Sequence, residues 1–164
     1  MANDETFLRR AIQLASQARE KGEDPFGAVL VFGQDIVHEA YDRSIIESDP
    51  TYHAELGLIS EYCRNNDQID LEGYTIYSST EPCAMCSGAI HWAKISRVVF
   101  SVSQKRLQEI SGGRPKYGCE EILNSGRNKV EIVKELLVEE GLKVFDGYKF
   151  IPKAERHKSL LKDQ

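Results

Sequence analysis

Two short segments, His53-Ala54-Glu55 and Pro82-Cys83-Ala84-Met85-Cys86, constrain this chain more than anything else in it. They supply one imidazole and two thiols, a ligand set for a tetrahedral metal, and a carboxylate beside the imidazole that ligation does not need. Any fold that uses them must bring together segments some thirty residues apart. Three protein ligands leave the fourth position of Zn²⁺ open to a water, which marks a catalytic rather than a structural site. A structural site needs a fourth Cys or His at short spacing, and Cys63 and Cys119 sit near neither half.

The local pattern places both halves at helix starts. Pro50 and Thr51 precede an apolar rhythm of Leu56, Ile59 and Cys63, which predicts an amphipathic helix from about residue 52 with His53 in its first turn. Thr80 reads as the N-cap of a second helix, with Glu81 and Pro82 in the first turn and Cys83 and Cys86 on one face. The positive ends of two helix dipoles then favour thiolate over thiol. The competing reading of Cys-x-x-Cys as a redox pair calls for a thioredoxin-like βαβ unit and no upstream His-x-Glu.

The rest of the chain sets the surroundings. Its 164 residues suit one domain, 1–164, with a two- or three-layer core. No apolar run approaches a membrane span, and the start Met-Ala-Asn-Asp-Glu lacks the layout of a secretory signal. Four cysteines, two of them assigned to metal, make no disulfide framework, so a cytoplasmic protein is expected, with Cys63 and Cys119 as packing residues. Net charge is −5, unevenly spread: residues 1–70 hold 6 Lys and Arg against 14 Asp and Glu. Such a surface repels a polyanion and is indifferent to a small neutral heterocycle. The basic run from Lys153 to Lys162 reads as a solvated helix end.

Periodicity predicts a helix over 4–21, a buried strand over 26–32, a turn at Gly33-Gln34-Asp35 and a partner strand over 36–41. Strands follow over 73–78 and 95–102, on either side of the Cys helix. Strand, helix, strand in about 30 residues is a βαβ unit, so these two strands should be parallel. From 103 to 128 glycines and Pro115 punctuate a partly helical excursion. A strand fits 130–137, and helical character 139–150.

The order of elements resembles the cytidine deaminase-like superfamily, whose zinc-dependent members carry the H-x-E…P-C-x-x-C pattern. The segments Pro25–Val31, Asp49–Glu55, Thr80–Cys86 and Gly88–Ala93 are similar to bacterial guanine deaminases, yeast-type cytosine deaminases and tRNA adenosine deaminases. The match covers about residues 5–102 and is loose beyond Val102. The resemblance implies a three-layer α/β/α fold, a central mixed sheet of about five strands flanked by helices, forming a single CMP/dCMP-type zinc deaminase domain. It implies Zn²⁺ on His53, Cys83 and Cys86, Glu55 as the proton carrier, and hydrolytic release of ammonia from an aromatic ring. A homodimer is implied as well, consistent with an apolar Ala89, Ile90, Trp92, Ala93 helix face. Trp92 is read as core or interface and His91 as surface.

Asp42, Phe26 and Ala54 are the residues expected to touch substrate. The relatives generally carry an Asn where this chain has Asp42; an ionised carboxylate only accepts hydrogen bonds, so it would ask for N–H donors on the substrate. The alternative is a surface turn residue beside Arg43. Phe26 is an aromatic wall of the pocket or a core residue. Guanine deaminases hold substrate with an acidic residue after the fourth strand, and the comparable stretch is taken as Ser111–Pro115, which has none; Glu109, Glu120 or Glu121 could substitute. The leading function is thus deamination of a free nucleobase or related aminoheterocycle (cytosine, isocytosine, guanine or amino-triazine class, with guanine not favoured). The alternatives are a tRNA adenosine deaminase, disfavoured by the acidic first half, and an inactive zinc-binding scaffold, disfavoured by Glu55.

Overall fold

A computed structural model describes residues 2–113, 117–127 and 129–162. The chain opens with α1 (Ala2–Glu20), whose Leu8, Ala11, Ile12 and Ala15 recur at helical spacing and are buried. Strands β1 (Gly27–Phe32) and β2 (Asp35–Tyr41) pair antiparallel across a turn at Gly33, which takes the left-handed φ of +64° that a tight hairpin demands. Next come α2 (Ala54–Asn65), β3 (Tyr74–Thr80), α3 (Ala84–Trp92) and β4 (Arg97–Val102). The last third holds α4 (Gln104–Ser111), α5 (Cys119–Leu123), β5 (Glu131–Val133), α6 (Val138–Lys143) and α7 (Lys153–Lys162).

The five strands form one mixed sheet in the order β2-β1-β3-β4-β5. β1 runs antiparallel to β2 and β3, whereas β3, β4 and β5 are parallel, as the strand-helix-strand spacing predicts for β3 and β4. Alternate residues feed opposite faces. Leu30, Ile76, Val98 and Phe100 pack with Leu58, Ile59 and Ile90 of α2 and α3, while Val29, Val31, Tyr77 and Val99 pack with Leu8, Ala11 and Ala15 of α1. Helices therefore flank the sheet on both sides. The α1 face is tight: a Cβ on Gly27 would run into the Ala11 carbonyl and the Ala15 amide. No helix among the described residues is long and apolar enough to cross a membrane.

Several local readings change. The helix expected from residue 52 starts at Ala54, because Asp49 accepts from the Thr51 amide and hydroxyl and holds 49–51 as a turn. The helix expected to be capped by Thr80 is capped by Cys83. Thr80 is still paired with Val102, and the Glu81 amide adds one more bond to the Val102 carbonyl, so strand geometry persists to the proline. Finally, the helical character expected over 139–150 ends at Lys143, and the strand at 130–137 shrinks to three residues. Ile90 and Ala93, expected on an interface face, belong to the chain's own core, and Trp92 is 82% exposed rather than core. Cys63 and Cys119 pack against that core, and all four cysteines are free.

Polar bonds as well as apolar contacts tie α1 to the sheet. Asp4 accepts from Arg97 Nη1 at 2.7 Å and Nη2 at 3.0 Å and from the Tyr77 hydroxyl at 2.6 Å. The Arg97 hydrogen bonds hold the Asp4 pKa down, from 3.8 to about 2. A depressed carboxylate contributes stability above its unfolded pKa and loses it as pH falls through the folded value. Asp4→Asn should therefore cost about 2 kcal/mol at neutral pH, with the gap from wild type closing between about pH 4 and 2, read from urea midpoints at stepped pH.

Candidate active site

His53 and Cys83 are the N-cap residues of α2 and α3, in extended conformations, and neither side chain is used to cap its own helix. Both are thus free to turn toward each other, and Cys83 Sγ lies 3.5 Å from His53 Nδ1. Cys86, three residues on, is buried in the first turn of α3. Donor atoms of His53, Cys83 and Cys86 all lie within 4.8 Å of one another, a group that could hold a metal ion. One imidazole and two sulfurs at that spacing suit Zn²⁺ and its open fourth position. The Cys86 thiol, hydrogen-bonding to Cys83, holds Cys83 well below the usual thiol range, at about 3, with His53 adding to the effect. Cys86 itself is pushed up by that bond and by burial. Burial opposes charge on His53, but the contact with Cys83 outweighs it and the imidazole pKa rises.

Glu55 stands beside this group, 6% exposed, and burial raises its pKa. The Ser78 hydroxyl lies 2.7 Å from Glu55 Oε1 and 2.6 Å from the Thr80 carbonyl. Ser78 donates to Glu55 Oε1, which favours the carboxylate, while burial favours the acid and prevails in raising the pKa. A carboxyl group balanced in this way suits a proton carrier. A cavity of about 50 Å³ opens here, lined by Phe26, His53, Glu55, Thr80, Glu81, Cys83, Gln104 and Leu107.

Residues 1–102 match the family model for the cytidine and deoxycytidylate deaminase zinc-binding region. The chain belongs to this deaminase family. A relative in Schizosaccharomyces pombe named "Probable cytosine deaminase" is 37% identical over 88% of this chain and 91% of its own length. A Bacillus subtilis relative named "tRNA-specific adenosine deaminase" is 36% identical over 85% of this chain and 84% of its own. A solved structure from work on A-to-I editing by tRNA deaminases at the wobble position superposes with a TM-score of 0.73 at 28% identity, covering 85% of this chain and 99% of that one.

The walls of the deaminase cavity come from the ends of three strands. Phe26 immediately precedes β1 and leans on Phe145 and Phe150 of the C-terminal segment, with centroids 6.1 and 6.5 Å away. Glu81 leaves β3 and clamps two helix starts: Oε2 accepts from the Gln104 amide at 2.8 Å and Oε1 from the Cys119 amide at 2.8 Å. The first turn of α4, capped by Ser103, sets Gln104 and Leu107 into the cavity. Thr80 and Glu81 were read from sequence only as a helix start, and Ser78 and Gln104 were not singled out. The Ser103-x-x-Arg106 cap was a readable signal for α4, but nothing in the chain said that its first turn would face Glu55. Of the stretch 111–115, compared with the acid-bearing stretch of guanine deaminases and itself without a carboxylate, Ser111, Gly112 and Gly113 end α4 and do not line the cavity, and Arg114 and Pro115 lie outside the described residues. Glu109, Glu120 and Glu121 are exposed.

Of the expected substrate contacts, Phe26 lines the cavity; Ala54, wholly buried at the start of α2, and Asp42 do not. Asp42 is fully buried and its oxygens are taken. Oδ1 accepts from the Ser44 amide at 3.0 Å and hydroxyl at 2.7 Å, and Oδ2 from Lys153 Nζ at 2.8 Å. Neither the substrate role nor the surface-turn alternative fits that placement. Instead the Arg43 amide donates to the Tyr52 carbonyl at 3.2 Å, so the turn that Asp42 holds through Ser44 braces the peptide that leads into His53. Lys153 and Arg156 likewise depart from the solvated-helix reading of the tail, since Arg156 and Tyr148 both bond Asp24. Buried acids at Asp24 and Asp42 draw α7 down onto the loops flanking β1 and β2.

Two outcomes test this geometry. Cys83→Ala and Cys86→Ala should each lose most of the zinc and lower the melting temperature, because metal affinity is coupled to folding; elemental analysis and thermal melts read both. Lys153→Met should cost about 3 kcal/mol by stranding a buried carboxylate, and adding Asp42→Asn should recover much of that loss in a double-mutant cycle.

Proposed function

We propose that this family member is a zinc-dependent hydrolytic deaminase of a free nucleobase or related aminoheterocycle, acting through one domain that spans residues 1–164. The observation that carries the reading is the convergence of His53, Cys83 and Cys86 with a buried Glu55 at one small cavity. Zinc on those three side chains supplies the Lewis acidity that makes water a nucleophile near neutral pH. Glu55 takes a proton from the attacking water and passes it to the ring nitrogen beside the amine-bearing carbon. It then carries a second proton to the amine, which leaves as ammonia while the carbon keeps the water oxygen as a carbonyl. One carboxyl group cycling between base and acid needs a raised pKa, which burial provides. Ser78 orients it throughout.

The free-base reading draws support from the acidic balance of residues 1–70 and from Phe145 and Phe150, which back the Phe26 wall. It also draws on the fungal relative named for cytosine. The tRNA-named relative at similar identity favours a second reading, deamination of adenosine in tRNA. We further propose a cytoplasmic homodimer, for which Trp92, 82% exposed beside a cleft of about 650 Å³, offers an apolar contact. A monomeric mass by light scattering at micromolar protein would refute the dimer.

Ammonia release from cytosine, isocytosine, guanine, adenine, their nucleosides and amino-triazines, set against inosine formation in a tRNA stem-loop, separates the readings. Release from free bases supports the first, and inosine alone supports the second. Glu55→Gln should lower turnover at least about 10²–10⁴-fold while zinc content and melting temperature hold. Loss of zinc in that variant would make Glu55 structural instead.

A further inference from the structure

Among the described residues three buried side-chain atoms have no hydrogen-bond partner: Thr80 Oγ1, Gln104 Oε1 and Arg156 Nε. The first two belong to residues that line the cavity beside Glu55, and those residues are only 3% and 6% exposed. A buried polar atom without a partner is costly, and native proteins keep few of them. Two at one cavity call for a ligand that completes them.

Their chemistry is fixed by the neighbours. Gln104 Nε2 donates to the Glu81 carbonyl at 2.6 Å. That carbonyl only accepts, so the amide cannot be turned over, and its oxygen is the end left unpartnered. Its backbone is fixed as well, through the bond from its amide to Glu81 Oε2 at 2.8 Å. Thr80 ends β3 in register with Val102, and a β-branched side chain there has little rotational freedom. Gln104 Oε1 is therefore a pre-set acceptor. Thr80 Oγ1 is a hydroxyl that can accept beside it or donate to a neighbouring carbonyl.

We infer that Thr80 and Gln104 are specificity-determining residues, with Gln104 Oε1 accepting from an N–H on the edge of the bound heterocycle and Thr80 Oγ1 pairing with the adjacent ring substituent. This rests on the free-base reading above and narrows it. The substrate carries, besides the amine that leaves, an unsubstituted ring N–H or a second amino group. Bases alkylated at that nitrogen leave the Gln104 oxygen dry and are rejected. The acceptor role that the sequence suggested for Asp42, whose oxygens are committed to Ser44 and Lys153, falls to Gln104.

The test uses full-length, zinc-loaded protein. Thr80→Val keeps the shape and removes the hydroxyl, Gln104→Met removes the acceptor, and Gln104→Glu keeps an acceptor oxygen. Each is assayed by ammonia release on every base that wild type turns over and on its ring-N-methyl counterpart, with thermal melts alongside. Thr80→Val should leave the melting temperature unchanged or raised, since an unpartnered group is being replaced by an apolar isostere, yet lower kcat/KM by about 10-fold or more on the N–H base. Gln104→Met should lower kcat/KM on the N–H base, erasing most of the preference over the N-methyl analogue, and Gln104→Glu should retain that preference. A lowered melting temperature in Thr80→Val with equal losses on both substrates would make the residue structural and overturn the inference. Unchanged kinetics in Thr80→Val and Gln104→Met would overturn it too. If wild type acts only on the tRNA stem-loop, the free-base reading fails separately. In that case loss of inosine formation by Thr80→Val at unchanged stability supports substrate reading by this pair, and unchanged inosine formation overturns it.

Discussion

The parallel pairing of β3 with β4 is the constraint on which the site depends. Its last rung, Thr80 with Val102, and the added bond from the Glu81 amide hold the two strand ends level. From one end the chain turns through Pro82 into Cys83 and α3; from the other it turns through Ser103 into Gln104 and α4. Two helices thus start side by side at the carboxyl edge of the sheet, the place where open α/β sheets form their ligand crevices. The neighbouring strand β1 runs the other way, so its beginning, with Phe26 just before it, falls at the same edge. That opposite polarity is why a residue near the start of the chain can wall a cavity whose chemistry lies in the middle.

Much of this was legible in the sequence because it is local. The spacing of His53, Glu55, Cys83 and Cys86, the apolar strand runs up to Val102 and the turn at Gly33 each follow from a few adjacent residues. The helix starts were legible only to within a few positions. At Thr80 the signal for a cap competed with the ladder to Val102, and the ladder prevailed because the pairing with β4 runs on through the Glu81 amide. The walls were not legible. Gln104 and Leu107 enter through the Glu81 clamp, a contact between residues 23 positions apart, and Lys153 reaches Asp42 across 111. A charged residue at the head of an exposed, polar helix gives no sign that a buried carboxylate is waiting for it.

Buried polar groups crowd one end of the sheet: Glu23, Asp24, Asp42, Glu55, Ser78, Thr80 and Gln104 all lie near the cavity or the loops beside it. Most are neutralised in place. Glu23 accepts from the Ile45 and Ile46 amides, and Asp24 and Asp42 meet Arg156 and Lys153. These pairs cross between the loop before β1, the loop after β2 and α7, and tie the C-terminal helix to the open end of the β1–β2 pair. The desolvation of each charge is offset only when its partner is present, so the arrangement favours one relative placement of the loops more than it adds to overall stability. Precise placement is what Tyr52 and His53 require, since the metal donors must meet within a few ångströms.

The same accounting separates the groups that shape the site from those that wait for a ligand. Asp42 is fully buried, does not line the cavity, and has both oxygens paired with Ser44 and Lys153. Glu55 has Ser78 on one oxygen and faces the metal donors with the other side of its carboxyl group. Thr80 and Gln104 alone at this cavity keep an oxygen that the protein itself does not satisfy. In a close-packed interior an unsatisfied atom is selected against unless something else completes it. His53, Cys83 and Cys86 form a group that could hold a metal, and under the proposed reading discrimination among substrates falls to the two residues whose oxygens the protein leaves unpaired. One of these, Gln104, lies just beyond residues 1–102, the stretch that the family model covers, and enters the cavity through the Glu81 clamp.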